Sequence, residues 1–231
     1  EDIDGSESVL GGNLTTLTIS GNAALYIRGD LDRSFQNATP ITIDASANEG
    51  GVDLELSRSE KVTFIGSQAN DSFVVDTYGG YRGGNGGGSG DGDGGGMGNG
   101  PGNGEYGSND DESVTIIGGA GNDHYDVSTY TAVITSLNGN NDFEVSANEA
   151  TVTAGSGNNK FDVDAVVANL TAGAGNNRFA VVATKTVLTA GNGNNVIEIG
   201  AGNAESGDTN NPGYSQDYET SVVISLGNGK N

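Results

Sequence analysis

A strict 18-residue period is the feature that most constrains how this chain can fold. The pair Gly-Asn recurs at Gly121, Gly139, Gly157, Gly175 and Gly193, each 18 residues after the one before. A short unit repeated at a fixed spacing cannot bury an apolar face by itself, so successive units must stack on one another. The period therefore predicts a repeat architecture in which each unit forms one rung.

Within each period, apolar residues alternate with polar ones in two separate segments, as a strand with one buried face requires. The columns of the first segment are Tyr125, Phe143, Phe161, Phe179, Ile197 and Val127, Val145, Val163, Val181, Ile199. The columns of the second segment are Val114, Ala132, Ala150, Ala168, Thr186 and Ile116, Ile134, Val152, Leu170, Leu188. Two strands in 18 residues leave no room for a helix. The sequence predicts an all-β parallel β-solenoid, similar to a β-roll, with two short strands in each rung.

The same rung continues outside the strict region, with interruptions. Residues 62–75 align with 114–127 at a spacing of 52, which is one period plus 34 residues. Residues 224–231 align with 188–195 at 36, which is two periods. We therefore predict a Gly-rich insertion over residues 76–112 and an acidic insertion over residues 201–218. Looser rungs over 17–27 and 41–56 extend the solenoid upstream, so residues 1–231 are expected to form one solenoid segment of a longer protein.

Charge and residue usage exclude several classes of function. The chain carries 31 acidic and 9 basic residues, for a net charge of −22, which disfavours binding to nucleic acid or to anionic membranes. It has no Cys, so thiolate zinc sites and Cys nucleophiles are excluded. A single His and the lack of a Ser/His/Asp spacing argue against an enzyme, although carboxylate-only glycosidase chemistry stays open. Metal cations remain the natural counter-ions.

One segment resembles a known calcium-binding motif. Residues 118–126 read GGAGNDHYD, which is similar to the nonapeptide G-G-x-G-x-D-x-U-x of the RTX, or haemolysin-type, family. The resemblance implies that Ca²⁺ is held by carbonyl oxygens of the Gly turn, with Gly118 and Gly119, and by a carboxylate. It implies Asp123 as the best ligand and Asp71 as the next, and oxygen ligands suit this cation.

Later rungs depart from that family because Asn replaces the Asp. The positions are Asn141, Asn159, Asn177 and Asn195. Carboxylates stacked at about 4.8 Å repel one another unless a cation lies between them, and Asn removes the repulsion. Two interpretations remain open for these positions: a hydrogen-bonded Asn ladder without metal, or weak calcium sites built from Asn and backbone oxygens.

The Gly-rich stretch over residues 79–104 contains 16 Gly in 26 positions. Ordering so much Gly costs conformational entropy, which further contacts must offset. Candidates are a loop metal site at Asp91 and Asp93, Gly segments packed side by side, or contact with a neighbouring copy of the chain.

The upstream rungs also resemble, more loosely, bacterial surface-layer proteins of the RTX type. That resemblance implies a secreted, non-enzymatic structural protein of the cell surface, exported by a type I system: part of a surface layer, sheath, filament, extracellular matrix or cell-adhesion protein. Self-association with copies of the chain is the expected partnership, and cell-surface polysaccharide is a second candidate partner. The alternative is an RTX calcium-binding module attached to a secreted polysaccharide-active enzyme or lipase.

Overall fold

Stacked parallel strands account for the ordered architecture of this chain. A computed structural model describes residues 14–30, 40–57, 61–77, 112–201 and 220–229. The strands are β1 (Thr16–Gly21), β2 (Leu25–Asp30), β3 (Ile41–Asn48), β4 (Val52–Ser57), β5 (Lys61–Ile65), β6 (Ser72–Asp76), β7 (Ser113–Ile117), β8 (His124–Ser136), β9 (Asp142–Ala154), β10 (Lys160–Ala172), β11 (Arg178–Ala190), β12 (Val196–Ala201) and β13 (Ser221–Leu226).

All pairings between these strands are parallel, and the described residues contain no helix. It follows that no helix in these ranges is long and apolar enough to cross a membrane. The thirteen strands form one sheet that is open rather than closed. The prediction of an all-β parallel solenoid is confirmed.

Each long strand bends in the middle, which divides the rungs between two faces. The pairing registers of β8–β11 skip one residue in each strand, at Tyr130, Asn148, Val166 and Thr184. We call face 1 the stack of β2, β4, β6, the first halves of β8–β11, and β12. Face 2 is the stack of β1, β3, β5, β7, the second halves of β8–β11, and β13. The rings of Phe64 on face 2 and Phe73 on face 1 stack at 4.7 Å, so the two faces meet in the core.

The pairing register matches the predicted alignment of the rungs on either side of each insertion. Val62 pairs with Val114 across the first insertion, and Leu188 pairs with Ile224 across the second. The strand alternation also holds, because the predicted apolar columns are buried in β8–β11. Of the final residues of these columns, Ile197 and Ile199 are only partly buried and pack against the core.

An aromatic column runs along the inside of face 1. Tyr125, Phe143, Phe161 and Phe179 are all buried, and successive rings stack at 5.2, 4.9 and 4.5 Å. Burial of each ring is worth about 2–3 kcal/mol, and each stacked pair adds about 1 kcal/mol. This column therefore provides much of the cohesion between rungs.

The two edges of the solenoid differ. At one edge, which we call the turn edge, short Gly/Asn turns lead from face 2 to face 1, and these turns stack closely. Gly157 has φ of +147°, and a Cβ there would overlap the carbonyl oxygen of Gly139. At the opposite bend edge the chain passes from face 1 to face 2. Both predicted insertions fall there in the chain order; Asp91 and Asp93 lie outside the described residues.

Candidate functional site

An unbroken ladder of Asp and Asn side chains runs along the inside of the turn edge. In each link, the side-chain Oδ1 of one residue accepts a hydrogen bond from the backbone N–H of the residue at the same position in the preceding rung. The N–Oδ1 distances are 2.9–3.1 Å. The acceptors are Asp71, Asp123, Asn141, Asn159, Asn177 and Asn195, and all six side chains are buried. We call these residues the inner ladder. It crosses the first insertion without a gap, because Asp71 N–H donates to Asp123 Oδ1 at 3.0 Å.

The amide nitrogens of the inner ladder complete the later turns. Nδ2 of Asn159 donates to Oδ1 of Asn177 at 3.0 Å and to the carbonyl oxygens of Gly155 and Gly157 at 3.2 Å. Nδ2 of Asn177 bonds Asn195 and its own turn in the same way. The hydrogen bonds expected of an Asn ladder are therefore present at these rungs. At Asn141 the corresponding distances to the turn carbonyls are longer, 3.5 Å.

A second set of Asn residues forms an outer row on the solvent side of the same turns. Oδ1 of each accepts the backbone N–H of the following rung at 2.7–2.9 Å, the opposite direction to the inner ladder. The acceptors are Asn70, Asn122, Asn140, Asn158 and Asn176. Adjacent Asn residues thus tie each turn to the rung below and the rung above. Sequence reasoning assigned no role to this row, although the doubled Asn was its signal.

Asp123 is accommodated by two hydroxyl groups that the later rungs lack. Its Oδ2 accepts from the Tyr125 hydroxyl at 2.9 Å and from Ser136 Oγ at 3.4 Å. In the next three rungs these two positions hold Phe and Ala. The rung that has Asp in place of Asn therefore also has Tyr in place of Phe and Ser in place of Ala. The aligned repeats carry this signal, because Tyr125 and Ser136 depart from the Phe and Ala that follow them in their columns.

Asp71 receives donors from its own turn and from the rung before it. Its Oδ1 accepts from Val52 N–H at 2.9 Å and from Ser67 Oγ at 2.8 Å, and its Oδ2 accepts from Ser67 N–H at 2.6 Å. Each carboxylate oxygen of Asp71 and Asp123 thus has at least one hydrogen-bond donor. Ser67 is a further residue that the sequence analysis did not identify.

Burial opposes ionisation of the Asp123 carboxyl and of the Tyr125 hydroxyl. Removal from water, with a smaller contribution from the neighbouring Asp71 carboxylate, raises the pKa of Asp123 above its ordinary value. Burial likewise raises the pKa of the Tyr125 hydroxyl, so that it stays protonated and donates to Asp123. Two carboxylates in adjacent rungs therefore share a buried site, in which burial favours proton or cation binding.

The residues fit a cation unequally along the ladder. At Asn159, Asn177 and Asn195 the amide N–H groups already donate to the turn carbonyl oxygens, so a cation at these turns would compete with existing hydrogen bonds. At Asp71 and Asp123 two acidic side chains lie on adjacent rungs. Carboxylate oxygens are ligands that suit Ca²⁺. The described residues contain no cluster of three or more His, Cys, Asp or Glu side chains suited to a metal. A cation here would need backbone oxygens or water as its further ligands, and Gly118 and Gly119 belong to the turn that precedes Asp123.

Charged side chains on the outside of face 1 pair along the stack. Lys160 Nζ lies 3.0 Å from Asp142 and 3.6 Å from Glu144, and Arg178 lies 4.0 Å from Glu198. These groups are substantially exposed, so each pair contributes little to stability. His124 lies in the same outward column, where its backbone pairs with Ser72 and Asp142.

Comparison with protein-family models, with curated proteins and with solved structures finds no significant match to this chain. The resemblance to the RTX family stays a prediction that rests on residues 118–126.

Proposed function

We propose that this chain is a non-enzymatic structural protein, a β-solenoid segment of an extracellular surface layer, sheath, filament or adhesin that associates with copies of itself. The observation that carries the proposal is the continuous inner ladder, which joins Val52 to Asn195 through every turn between them. We expect a stack whose turns are linked by side-chain hydrogen bonds at each step to resist bending between rungs. Stiffness of this kind serves a load-bearing or lattice-forming part.

We further propose that Ca²⁺ stabilises the solenoid at Asp71 and Asp123. The support is electrostatic: both side chains are buried, they lie on adjacent rungs, and their hydrogen-bond partners are neutral donors. A divalent cation would offset their repulsion and the cost of burying charge. Secretion fits this proposal, since extracellular calcium sites work at millimolar concentrations of the cation.

Thermal unfolding with calcium and with chelator tests the calcium proposal. Because a ligand that binds only the folded state raises its stability, calcium should raise the melting temperature of the natural chain. Asp123→Asn and Asp71→Asn should each lose most of that rise. Asp162→Asn removes an exposed acid from face 1 and is the matched control, which should respond to calcium as the natural chain does. Equal rises in all four proteins would contradict the assignment.

Electron microscopy of the purified chain tests the structural function separately. Ordered filaments or sheets, formed in calcium at high protein concentration, are the expected result. A chain that stays monodisperse and monomeric under all these conditions, by sedimentation as well as by imaging, would overturn the proposal of self-assembly whatever the calcium result.

A further inference from the structure

Over the second halves of β8–β11 and over β13, the outer surface of face 2 is almost uncharged, on a protein whose net charge is −22. Three outward columns, beginning at Thr131, Val133 and Thr135, cross β8–β11 and end on β13. They consist mainly of Thr, Val and Ser, and Glu149 and Lys185 are their only charged residues. Val133, Val187 and Val223 are 39–53% exposed on this surface.

Face 1 has the opposite character over the same rungs. Its outward acidic residues are Asp126, Asp142, Glu144, Asp162, Asp164 and Glu198, against Lys160 and Arg178. Two copies of the chain that approached through face 1 would bring like charges together. Face 2 is the broad surface of these rungs on which that repulsion is absent.

The two charges on face 2 are placed symmetrically. Glu149 and Lys185 lie in the same column, one rung on either side of Val167 of β10. Both side chains are exposed, and neither forms an ion pair within the described ranges. An acid and a base equidistant from one strand form a self-complementary pattern for a twofold axis along that strand.

We infer that two copies of this chain pack face 2 against face 2 about a twofold axis that runs parallel to β10. Such an axis reverses the order of the rungs and leaves the position along each strand unchanged. Glu149 of one copy then faces Lys185 of the second copy, and the reverse pair forms at the same time. The Val167 side chains of the two copies meet at the centre. Both stacks repeat at about 4.8 Å, so each outward column meets its counterpart rung for rung.

The area of face 2 that two copies would bury sets the expected strength of their association. Five rungs at about 4.8 Å, with five to six residues at about 3.3 Å along each strand, give about 400 Å² per copy. The two copies together would bury about 800 Å², which is below the roughly 1,200 Å² of standard specific interfaces and in the range of weak, transient contacts, so we expect reversible association that depends on concentration. This inference rests on the self-association proposed above and names one surface for it, since a twofold contact closes at two copies.

A charge-exchange experiment by sedimentation equilibrium tests the inference. Glu149→Lys and Lys185→Glu each place like charges opposite one another twice, and each should weaken association about tenfold. The double variant with both exchanges restores opposite charges in both pairs and should associate as the natural chain does. Both positions are exposed, so none of the three variants should change the melting temperature appreciably. Asp164→Lys on face 1 is the control and should not weaken association.

Several outcomes would overturn the inference. They are single variants that associate like the natural chain, a double variant that stays as weak as the single ones, and a natural chain that does not dimerise at any concentration. If the single variants still form ordered filaments or sheets under the microscope, the structural function survives and another surface carries the assembly.

Discussion

Nδ2 of Asn177 lies 3.0 Å from Oδ1 of Asn195, and the same nitrogen lies 3.3 and 3.2 Å from the carbonyl oxygens of Gly173 and Gly175. Three acceptors therefore surround one buried NH₂ group. No carboxylate can replace it without placing oxygen against oxygen. This arrangement explains why Asn, rather than the Asp of the calcium-binding motif, occupies the later rungs.

Asn177→Asp should destabilise the protein by about 3 kcal/mol at neutral pH. The reason is that the change removes a buried donor and adds a buried charge next to three acceptors. Asn176→Asp, one residue earlier, should change stability by less than about 0.5 kcal/mol, because that side chain is exposed and its Oδ1 remains an acceptor. Chemical denaturation of both variants makes the comparison. Equal losses would show that the inner amide has no special role.

The rung of Asp123 should make stability depend on pH. Because the folded pKa of this carboxyl is raised above 3.8, the folded state holds the proton more tightly than the unfolded state. The penalty of a buried charge is therefore absent below pH 3.8, and the protein loses stability as pH rises from there to the higher folded pKa. Asp71 and the Tyr125 hydroxyl are the titratable groups nearest this carboxyl.

A triple variant isolates that effect. Asp123→Asn, Tyr125→Phe and Ser136→Ala together give this rung the Asn, Phe and Ala found in the next rungs. Measured in chelator, the free energy of unfolding of the natural chain should fall relative to the triple variant as pH rises above about 4. A constant difference between the two proteins across this range would contradict the assignment to Asp123.

The fold could be predicted from the sequence because every rung of the strict region repeats the same period and the same alternation of apolar and polar residues. Phe143, Phe161 and Phe179 occupy the same position in three successive rungs, so the register followed directly. The details of the turn were harder to predict, since hydrogen bonds to Asp123 come from Tyr125 and Ser136, at opposite ends of the same long strand. Such contacts depend on how the bend brings the two faces together, which a linear pattern does not specify.

Thr186 offers a test of buried polarity in the core. It replaces the Ala150 and Ala168 of the preceding rungs, is 1% exposed, and its Oγ1 has no hydrogen-bond partner in the described part of the chain. Thr186→Val keeps the shape and removes the unpaired hydroxyl, so it should stabilise the protein by about 1 kcal/mol. The exposed Thr189→Val is the control and should be nearly neutral. A loss of stability in Thr186→Val would show that its hydroxyl has a partner after all.

The base of the Gly-rich insertion is closed by direct contacts. Thr77 Oγ1 donates to Glu112 Oε2 at 2.7 Å, and Thr77 N–H donates to the Ser128 carbonyl oxygen at 2.9 Å. Residues 77 and 112 are therefore neighbours in space, and the eight residues that remain after deletion of 79–104 are ample to join them. The base also lies at the bend edge, away from the turn that contains Asp123.

Deletion of residues 79–104 should therefore leave a folded solenoid with an unchanged response to calcium. It should weaken or abolish higher-order assembly, because we expect the insertion to reach a neighbouring copy. Circular dichroism and the melting temperature report the fold, and electron microscopy in calcium reports the assembly. Thr77→Val within the deletion protein removes the hydroxyl contact to Glu112 and should lower the melting temperature slightly, which checks that the base stays closed. Filaments or sheets indistinguishable from those of the natural chain would show that the insertion is a passive loop. A deletion protein that fails to fold would show that the insertion is part of the solenoid itself.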